Sequence, residues 1–361
     1  MATGPGYPGG FNTFVPAFGN DPEGAGGIII AYSRNPKRFR IAEYAQYVPA
    51  PRTLGYYLKL YAQEAGRVVN VDDFIWPDGA EAPSGADGQE KFDFLPFTCI
   101  RHAYPFALGD LATDQASWPI IEQHSAIHAA QLMTARTYRM MTVLTTAANW
   151  QTTAAGGDDL SANHTDSATN IGGGKWDAGS STAPYIKKAL DAIAVLVTKD
   201  TLAVVGGEPD IFSVVVSPTT ARLMAESAEI HDYIKGSYWA KQEIESGESP
   251  NARYGLPSSI YGYRIIVENC VRVSSRKEDT LARSFAMPDQ AALFLSRIGG
   301  IEGTYGAPSF STATMFYYQD ELTVETKHDV DNRRTVGRCV ENTAEVLTAP
   351  ASGYYLTAVT S

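Results

Sequence analysis

Between Pro119 and Ala148 the chain runs without a glycine or a proline, and this run leaves the fewest options open. Ser117 is placed to cap a helix, Pro119 suits a first turn where its missing N–H costs nothing, and Glu122 suits the positive end of the helix dipole. At about 1.5 Å per residue the predicted rod is on the order of 40 Å long, against roughly 12 residues for a mean globular helix. Ala126, Ala130, Met133, Met140, Met141, Leu144 and Ala148 recur at steps near three and four and form one apolar stripe. Arg136, Arg139 and several threonines lie off it, so one side is expected to pack and the other to meet solvent or a partner. The back half, AQLMTARTYRMMTVLTTAANW, holds no acid, no nucleophile beside a base and no ligand cluster. Such a helix is suited to carry load rather than chemistry.

What flanks it is predicted to be less self-sufficient. Residues 1–27 are dominated by Gly and Pro and have little side-chain area to bury. From Arg40 to about Leu108 the pattern is strand-like: IAEYAQYV, TLGYYLKLYA and KFDFLPFTCI, with the turn-rich WPDGAEAPSGADGQE at 76–90 between them. Phe92 and Phe94 fall on one face at period two. Together with Tyr56, Tyr57, Phe74 and Trp76 they make an aromatic two-stranded ribbon, which is marginal without a neighbouring surface. Residues 151–184 are a small-residue, polar connection too long for an ordinary loop. All three stretches are expected to be shaped by other copies of the same molecule.

Further on, the pattern alternates. APYIKKALDAIAVLVTKD reads as an amphipathic helix, IFSVVVSP as a short buried strand, and SPTTARLMAESAEIHDYI as one helix capped by Ser217 with Pro218 in its first turn. GYRIIVENCVRV and QAALFLSRI read as strands, and 185–302 as a compact α/β unit. The alternating stretches from Thr312 to Leu347 predict antiparallel strands, and GYYLTAVT one more.

Composition narrows the function. Lys and Arg total 29 against 40 Asp and Glu, a formal net charge of -11, which disfavours a dedicated nucleic-acid binder. Charged residues are 19% of the chain, below the roughly 25% of typical proteins. With 20 Tyr, 14 Phe and 5 Trp, this hints at surface covered by partners. Cys99, Cys270 and Cys339 form no CxxC pair, so neither a zinc site nor a disulfide framework is encoded, and a reducing compartment is expected. No signal peptide or membrane span is legible, so the chain is expected to be soluble, with no membrane partner.

Motifs with chemical potential are few. His124 and His128 have helical metal-ligand spacing, but HSAIH lacks the glutamate of HExxH and a third ligand. GGGKWDAG at 172–179 lacks the GxxxxGK[ST] pattern and reads as a flexible loop. Arg34, Lys37, Arg38 and Arg40 cluster in SRNPKRFR, either to touch DNA or, favoured by the acidic chain, to pair with Asp78, Glu81 and Asp87. Asp329 and Asp331 would share a strand face, yet Lys327, Arg333 and Arg334 make a solvated charge cluster the better reading. No catalytic motif stands out, so no catalytic residue, cofactor or metal is expected.

Four segments, in this order, carry a resemblance: HAYPFALGDLATDQA running into the long helix, IFSVVVSPTTARLMAESAEIHDYIK, YGLPSSIYGYRIIVENCVRV, and VENTAEVLTAPASGYYLTAV. The chain resembles, over nearly its whole length, the major capsid proteins of tailed double-stranded DNA phages, the Hong Kong 97 fold shared with encapsulin shells. That resemblance implies an α+β fold. Residues 1–40 would be an N-terminal arm, 41–108 an extended β-hairpin loop reaching over a neighbour, 109–184 a peripheral domain with the long spine helix, and 185–302 an α/β axial domain. Residues 303–352 would return to the peripheral domain and 353–361 would rejoin the axial one. It further implies self-assembly into hexamers and pentamers of an icosahedral shell enclosing DNA held by weak contact, in a virion assembled in the host cytoplasm. The basic cluster, the ribbon aromatics, Arg136 and Arg139 would then be subunit-interface candidates. A portal is a partner to expect, with decoration proteins a further option, and, since too little chain precedes residue 41 for a fused scaffold, either a separate scaffolding protein or none. Some relatives cross-link a loop lysine; no motif at Lys59 or Lys91 supports that here. The rivals are an encapsulin-type compartment with an enzyme cargo, and a soluble α/β enzyme with 151–184 as a lid.

Overall fold

A computed structural model describes residues 39–59, 93–115, 120–152, 160–203, 212–276, 278–297, 311–319 and 322–361. It begins with a helical turn, α1 (Ile41–Tyr44), and four strands: β1 (Gln46–Ala50), β2 (Leu54–Lys59), β3 (Asp93–Thr98) and β4 (Ile100–Gly109). A short helix, α2 (Asp110–Gln115), precedes the long one, α3 (Ile120–Leu144). At 25 residues, α3 is about 38 Å long. Its threonines are accounted for locally: the hydroxyls of Thr134, Thr137 and Thr142, and of Thr145 just past its end, donate to carbonyls four residues back. Its last carbonyls are capped by side chains from the following turn, Asn149 Nδ2 to Val143 O and Trp150 Nε1 to Leu144 O, both 2.8 Å.

The chain next enters a second region through β5 (Thr165–Ser167), α4 (Ala168–Gly172), α5 (Tyr185–Asp200) and β6 (Phe212–Val216). Three helices follow, α6 (Pro218–Glu226), α7 (Ala228–Gly236) and α8 (Tyr238–Ser246), so the stretch 217–234, expected as one helix, is divided between two. The reason is a series of serine caps: Ser217, Ser227 and Ser237 each accept from the N–H three residues on, so each starts a new helix. The region continues with β7 (Ser259–Ile260), β8 (Tyr263–Val267), the ribbon strands β9 (Val271–Val273) and β10 (Arg283–Phe285), and β11 (Ala292–Ser296). The chain then supplies β12 (Ala313–Tyr318), β13 (Thr323–Asp329) and β14 (Arg334–Leu347), and ends on β15 (Tyr354–Thr357).

Two sheets organise these elements. One has five strands in the order β1-β12-β14-β13, with β4 also on β14; the other has six in the order β5-β15-β11-β6-β8-β7. Of the strands expected in the excursion, β2 and β3 pair with each other as a two-stranded ribbon. Residues 46–50 and 100–108, expected within the excursion, instead belong to strands of the five-stranded sheet, β1 parallel to β12 and β4 antiparallel to β14.

The six-stranded sheet is buried on both faces. Val214 and Val216 face α5 and α6, packing on Ile186, Leu190, Ile193, Ala221 and Met224, while Val215 between them faces the other way. There, with Ile266, Leu293 and Leu295, it meets Met140, Met141 and Leu144 of α3, Trp150, and Phe39, Tyr44 and Tyr47. The front half of α3 packs elsewhere: Ile121, Ala129 and Leu132 lie against Phe106, Leu108, Val324 and Cys339 of the five-stranded sheet. Ala148, expected on the stripe, is exposed because the helix has ended by Leu144.

The expectation for 151–184 needs correction over 160–184. This segment is folded within the single chain, through β5 paired to β15, through the buried Trp176, and through His164. The imidazole of His164 lies 2.8 Å by Nε2 from Asp200 Oδ2 and 2.6 Å by Nδ1 from Gly353 O. Asp200 also accepts from the Ser161 N–H at 3.0 Å. Burial opposes the Asp200 charge, but its bonds to His164 and Ser161 prevail and hold the carboxyl below its ordinary range. The glycine run at 172–174 serves packing: a Cβ on Gly174 would lie 2.4 Å from the Tyr185 ring.

Arg136, expected toward solvent or a partner, is wholly enclosed. Its Nη2 is 2.8 Å from Glu341 Oε2 and neither side chain is exposed. Arg139 reaches Glu341 at 2.5 Å and Glu345 at 3.0 Å. The two arginines bond α3 to the face of β14 that lies over it. Replacing Arg136 by Met leaves part of the Glu341 charge without a partner and should cost roughly 3 kcal/mol. A denaturant midpoint unchanged from wild type would show that the pair does not hold helix to sheet.

Candidate assembly surfaces

The ribbon of β2 and β3 has two unlike faces. On one, Gly55, Tyr57 and Phe97 turn inward, and Phe97 stacks on Phe316 of β12 with centroids 4.0 Å apart and planes within 9°. Tyr57 stacks on the same ring at 6.0 Å, and Val48, Ala50, Cys99 and Ala344 complete this small cluster. The root is closed by the Cys99 N–H donating to Thr53 O at 2.7 Å. On the opposite face Leu54, Tyr56 and Phe94 are 58%, 55% and 63% exposed. Pairing places Tyr56 across from Pro96 and Leu54 across from Thr98, so these side chains form one mostly apolar, largely exposed strip.

A second surface begins where the arm would leave the body. Arg40 is buried, donating from Nη1 to Asn251 Oδ1 at 2.9 Å and from Nε to Glu43 Oε1 at 2.7 Å. Glu43 also receives Arg264 at 2.5 Å, and Arg297 donates to the backbone oxygen of Ala42 at 2.7 Å. The hydroxyl of Tyr44 donates to Glu268 Oε2 at 3.1 Å, and the Cys270 N–H donates to Oε1 at 3.0 Å. Arg40 is therefore paired within the chain and its immediate partner is Glu43.

The remaining predicted contact residues divide simply. Tyr56 and Phe94 are on the open ribbon face, Tyr57 is half-buried at the root, and Arg136 and Arg139 serve the α3–β14 bond. Arg34, Lys37, Arg38, Phe74, Trp76 and Phe92, with the acids Asp78, Glu81 and Asp87, lie outside the described residues. His124 and His128 sit 6.0 Å apart by ring centroid, with His128 stacked at 4.7 Å on Tyr104 and bonded to Gln131. Asp329 ends β13 and binds Arg334 at 3.0 Å, whereas Asp331 lies in the turn beyond, so the two do not share a strand face. Among the described residues no group of three or more His, Cys, Asp or Glu could hold a metal ion. Burial pushes the Cys99 and Cys339 thiols up to about 11 and about 12, away from thiolate chemistry. No described helix is long and apolar enough to cross a membrane.

No protein-family profile matches the sequence and no curated protein is significantly similar to it. Solved structures are similar in fold. A phage-related protein from Bordetella bronchiseptica superposes with a TM-score of 0.60 at 10% identity, over 92% of this chain and 97% of that one. The capsid of cyanophage P-SCSP1u gives 0.57 at 11% identity, over 88% and 87%. The mature capsid of bacteriophage PhiM1 gives 0.51 at 13%, over 87% and 85%. At such identities the likeness is one of fold, and it extends over most of each chain.

The arm-root cluster makes stability depend on pH. Burial raises the Glu268 carboxyl from an ordinary 4.5 to about 7, against the opposing bonds from Cys270 and Tyr44 and the attraction of Arg40. The folded chain thus holds this proton more tightly than the unfolded one. The stabilisation is full below about 4.5 and is lost as pH rises through about 7. Between pH 5 and 8 the melting temperature of wild type should fall relative to that of Glu268→Gln, and parallel profiles would exclude Glu268 as the source.

Proposed function

We propose, for a chain built on the fold of phage capsid subunits, that it is the major capsid protein of a tailed phage, assembling with copies of itself into hexamers and pentamers of an icosahedral shell around double-stranded DNA. The observation that carries this reading is that the shared fold spans 85% or more of both chains in each of the three comparisons. The surface agrees: Leu54, Tyr56 and Phe94 expose an apolar ribbon face. Its role is mechanical. α3, bonded to one sheet and packed on the other, resists bending, and the ribbon and arm supply contacts to neighbours. Each contact is modest, but a closed shell engages many at once, so releasing one subunit requires breaking all of its contacts together. A separate scaffolding protein, a portal and decoration proteins are the further partners this role calls for.

The net charge of -11 suits a container whose contents must enter and leave. Like-signed wall and genome attract little, and affinity for phosphate needs cations. Purified shells should therefore retain duplex DNA only weakly at physiological salt; tight retention would contradict that part of the reading.

Electron microscopy of the protein expressed alone, or with a scaffolding protein, tests the whole. Closed particles are expected; a monomer or small oligomer under both conditions would refute the proposal. Tyr56→Asp combined with Phe94→Asp should fold as wild type, since both sites are exposed, yet lower particle yield about tenfold or more, the effect of losing roughly 1.4 kcal/mol or more per contact.

A further inference from the structure

The region of the six-stranded sheet carries a second pair of surfaces that neither ribbon nor arm explains. On one side, α6, α7, α8 and the turn Ala252–Tyr254 border an open groove with Arg222, Glu226, Arg253 and Tyr254 along its walls. The Arg253 guanidinium lies over the Tyr254 ring, 4.7 Å from its centroid. The Tyr254 hydroxyl is bonded to Asn269, which fixes that ring. Arg253 is nevertheless exposed, as is Arg222, and neither makes an ion pair among the described residues. A planar cation stacked on one ring can take a second aromatic on its other face, a geometry that lysine does not reproduce.

At the start of α8 stands such an aromatic. Tyr238 and Trp239 are 75% and 77% exposed, their rings meeting edge to face with centroids 6.1 Å apart. Helix α8 turns Ala240 inward and lines the groove with Ile244. Trp239 lies five positions before Ile244, about 140° around the helix, so it projects away from the groove of its own molecule. Knob and groove are thus different patches on one subunit. Contacts of that type run head to tail and close into a ring when the rotation permits.

We propose that Tyr238 and Trp239 of one copy dock into the Arg222–Arg253 groove of the next, with Trp239 completing an aromatic–arginine–aromatic stack on Tyr254. The inference rests on the chain being a self-assembling shell subunit, and it names the surfaces by which neighbouring copies of this region would meet.

A mutant cycle in the full chain tests it, with Trp239→Ala, Arg253→Ala and the double variant, reading the protein concentration needed for particle formation by light scattering. Each single change should raise that concentration about tenfold or more, and the double should be no worse than the more severe single. Trp239→Phe keeps a ring and should assemble; Arg253→Lys keeps the charge but loses the plane and should fail like Arg253→Ala. Melting temperatures should not move, because the altered side chains are exposed. Assembly of Trp239→Ala at the wild-type concentration, additive losses in the double variant, or rescue by Arg253→Lys would each overturn the docking. If wild type itself forms no particles, the shell reading fails and the docking with it; if wild type and variants assemble alike, only the docking fails.

Discussion

The structure depends on one constraint: a six-stranded sheet that is apolar on both faces must be covered twice. β6 shows it residue by residue, with Val214 and Val216 committed to α5 and α6 and Val215 committed to the opposite side. Among the described residues, no helix from the same region covers that opposite side. The rear half of α3, the capping Trp150 and the segment from Phe39 to Tyr47 do so instead. The cost of exposing that face joins the two regions into one body, and it fixes where α3 must end, because Leu144 and Trp150 are part of the cover.

Polar groups then set the details that apolar packing leaves loose. Glu341 and Glu345 extend from β14 over α3 and receive Arg136 and Arg139, which fixes the rotation of the helix against the sheet. Arg40, Glu43, Arg264 and Glu268 do the same for the chain entering from the arm. His164, held between Asp200 and Gly353, ties the connection after α3 to both α5 and the C-terminal strand. With the body fixed this way, Leu54, Tyr56 and Phe94 of the ribbon and Tyr238 and Trp239 of α8 remain as exposed apolar surface.

How much of this could be read beforehand varies with the range of the interaction. The long helix, the strands β6, β8, β11 and β12–β14, and the cap at Ser217 follow from periodicity and neighbouring residues. Arg136 was misplaced because a helical wheel records only that it lies off the apolar stripe; its partner is 205 residues away. Two acids at even spacing within the otherwise strand-like VENTAEVL were a usable sign that buried cations would meet that face. The 160–184 segment looked unable to order itself because its residues are small and polar. Its order comes from a few anchors, Trp176, His164 and three residues of β5, each meaningful only once β15 is alongside. Ser227 lies inside SPTTARLMAESAEIHDYI, where helical periodicity continues across it, and only its accepted bond from Ile230 N–H marks the new helix start.

By itself the sequence determined the inventory of elements and the chemistry available to them: a helix with no breaker, strands whose apolar residues alternate or run together, an acidic surface, and no clustered nucleophile or ligand set. Those properties are local, decided by backbone sterics and by side chains within one or two turns. Only the tertiary structure decided which charges are buried, which ribbon face stays open, and that 160–184 folds within the chain. Each of these follows from the proximity of residues distant in sequence, and desolvation free energy depends on that proximity rather than on residue type.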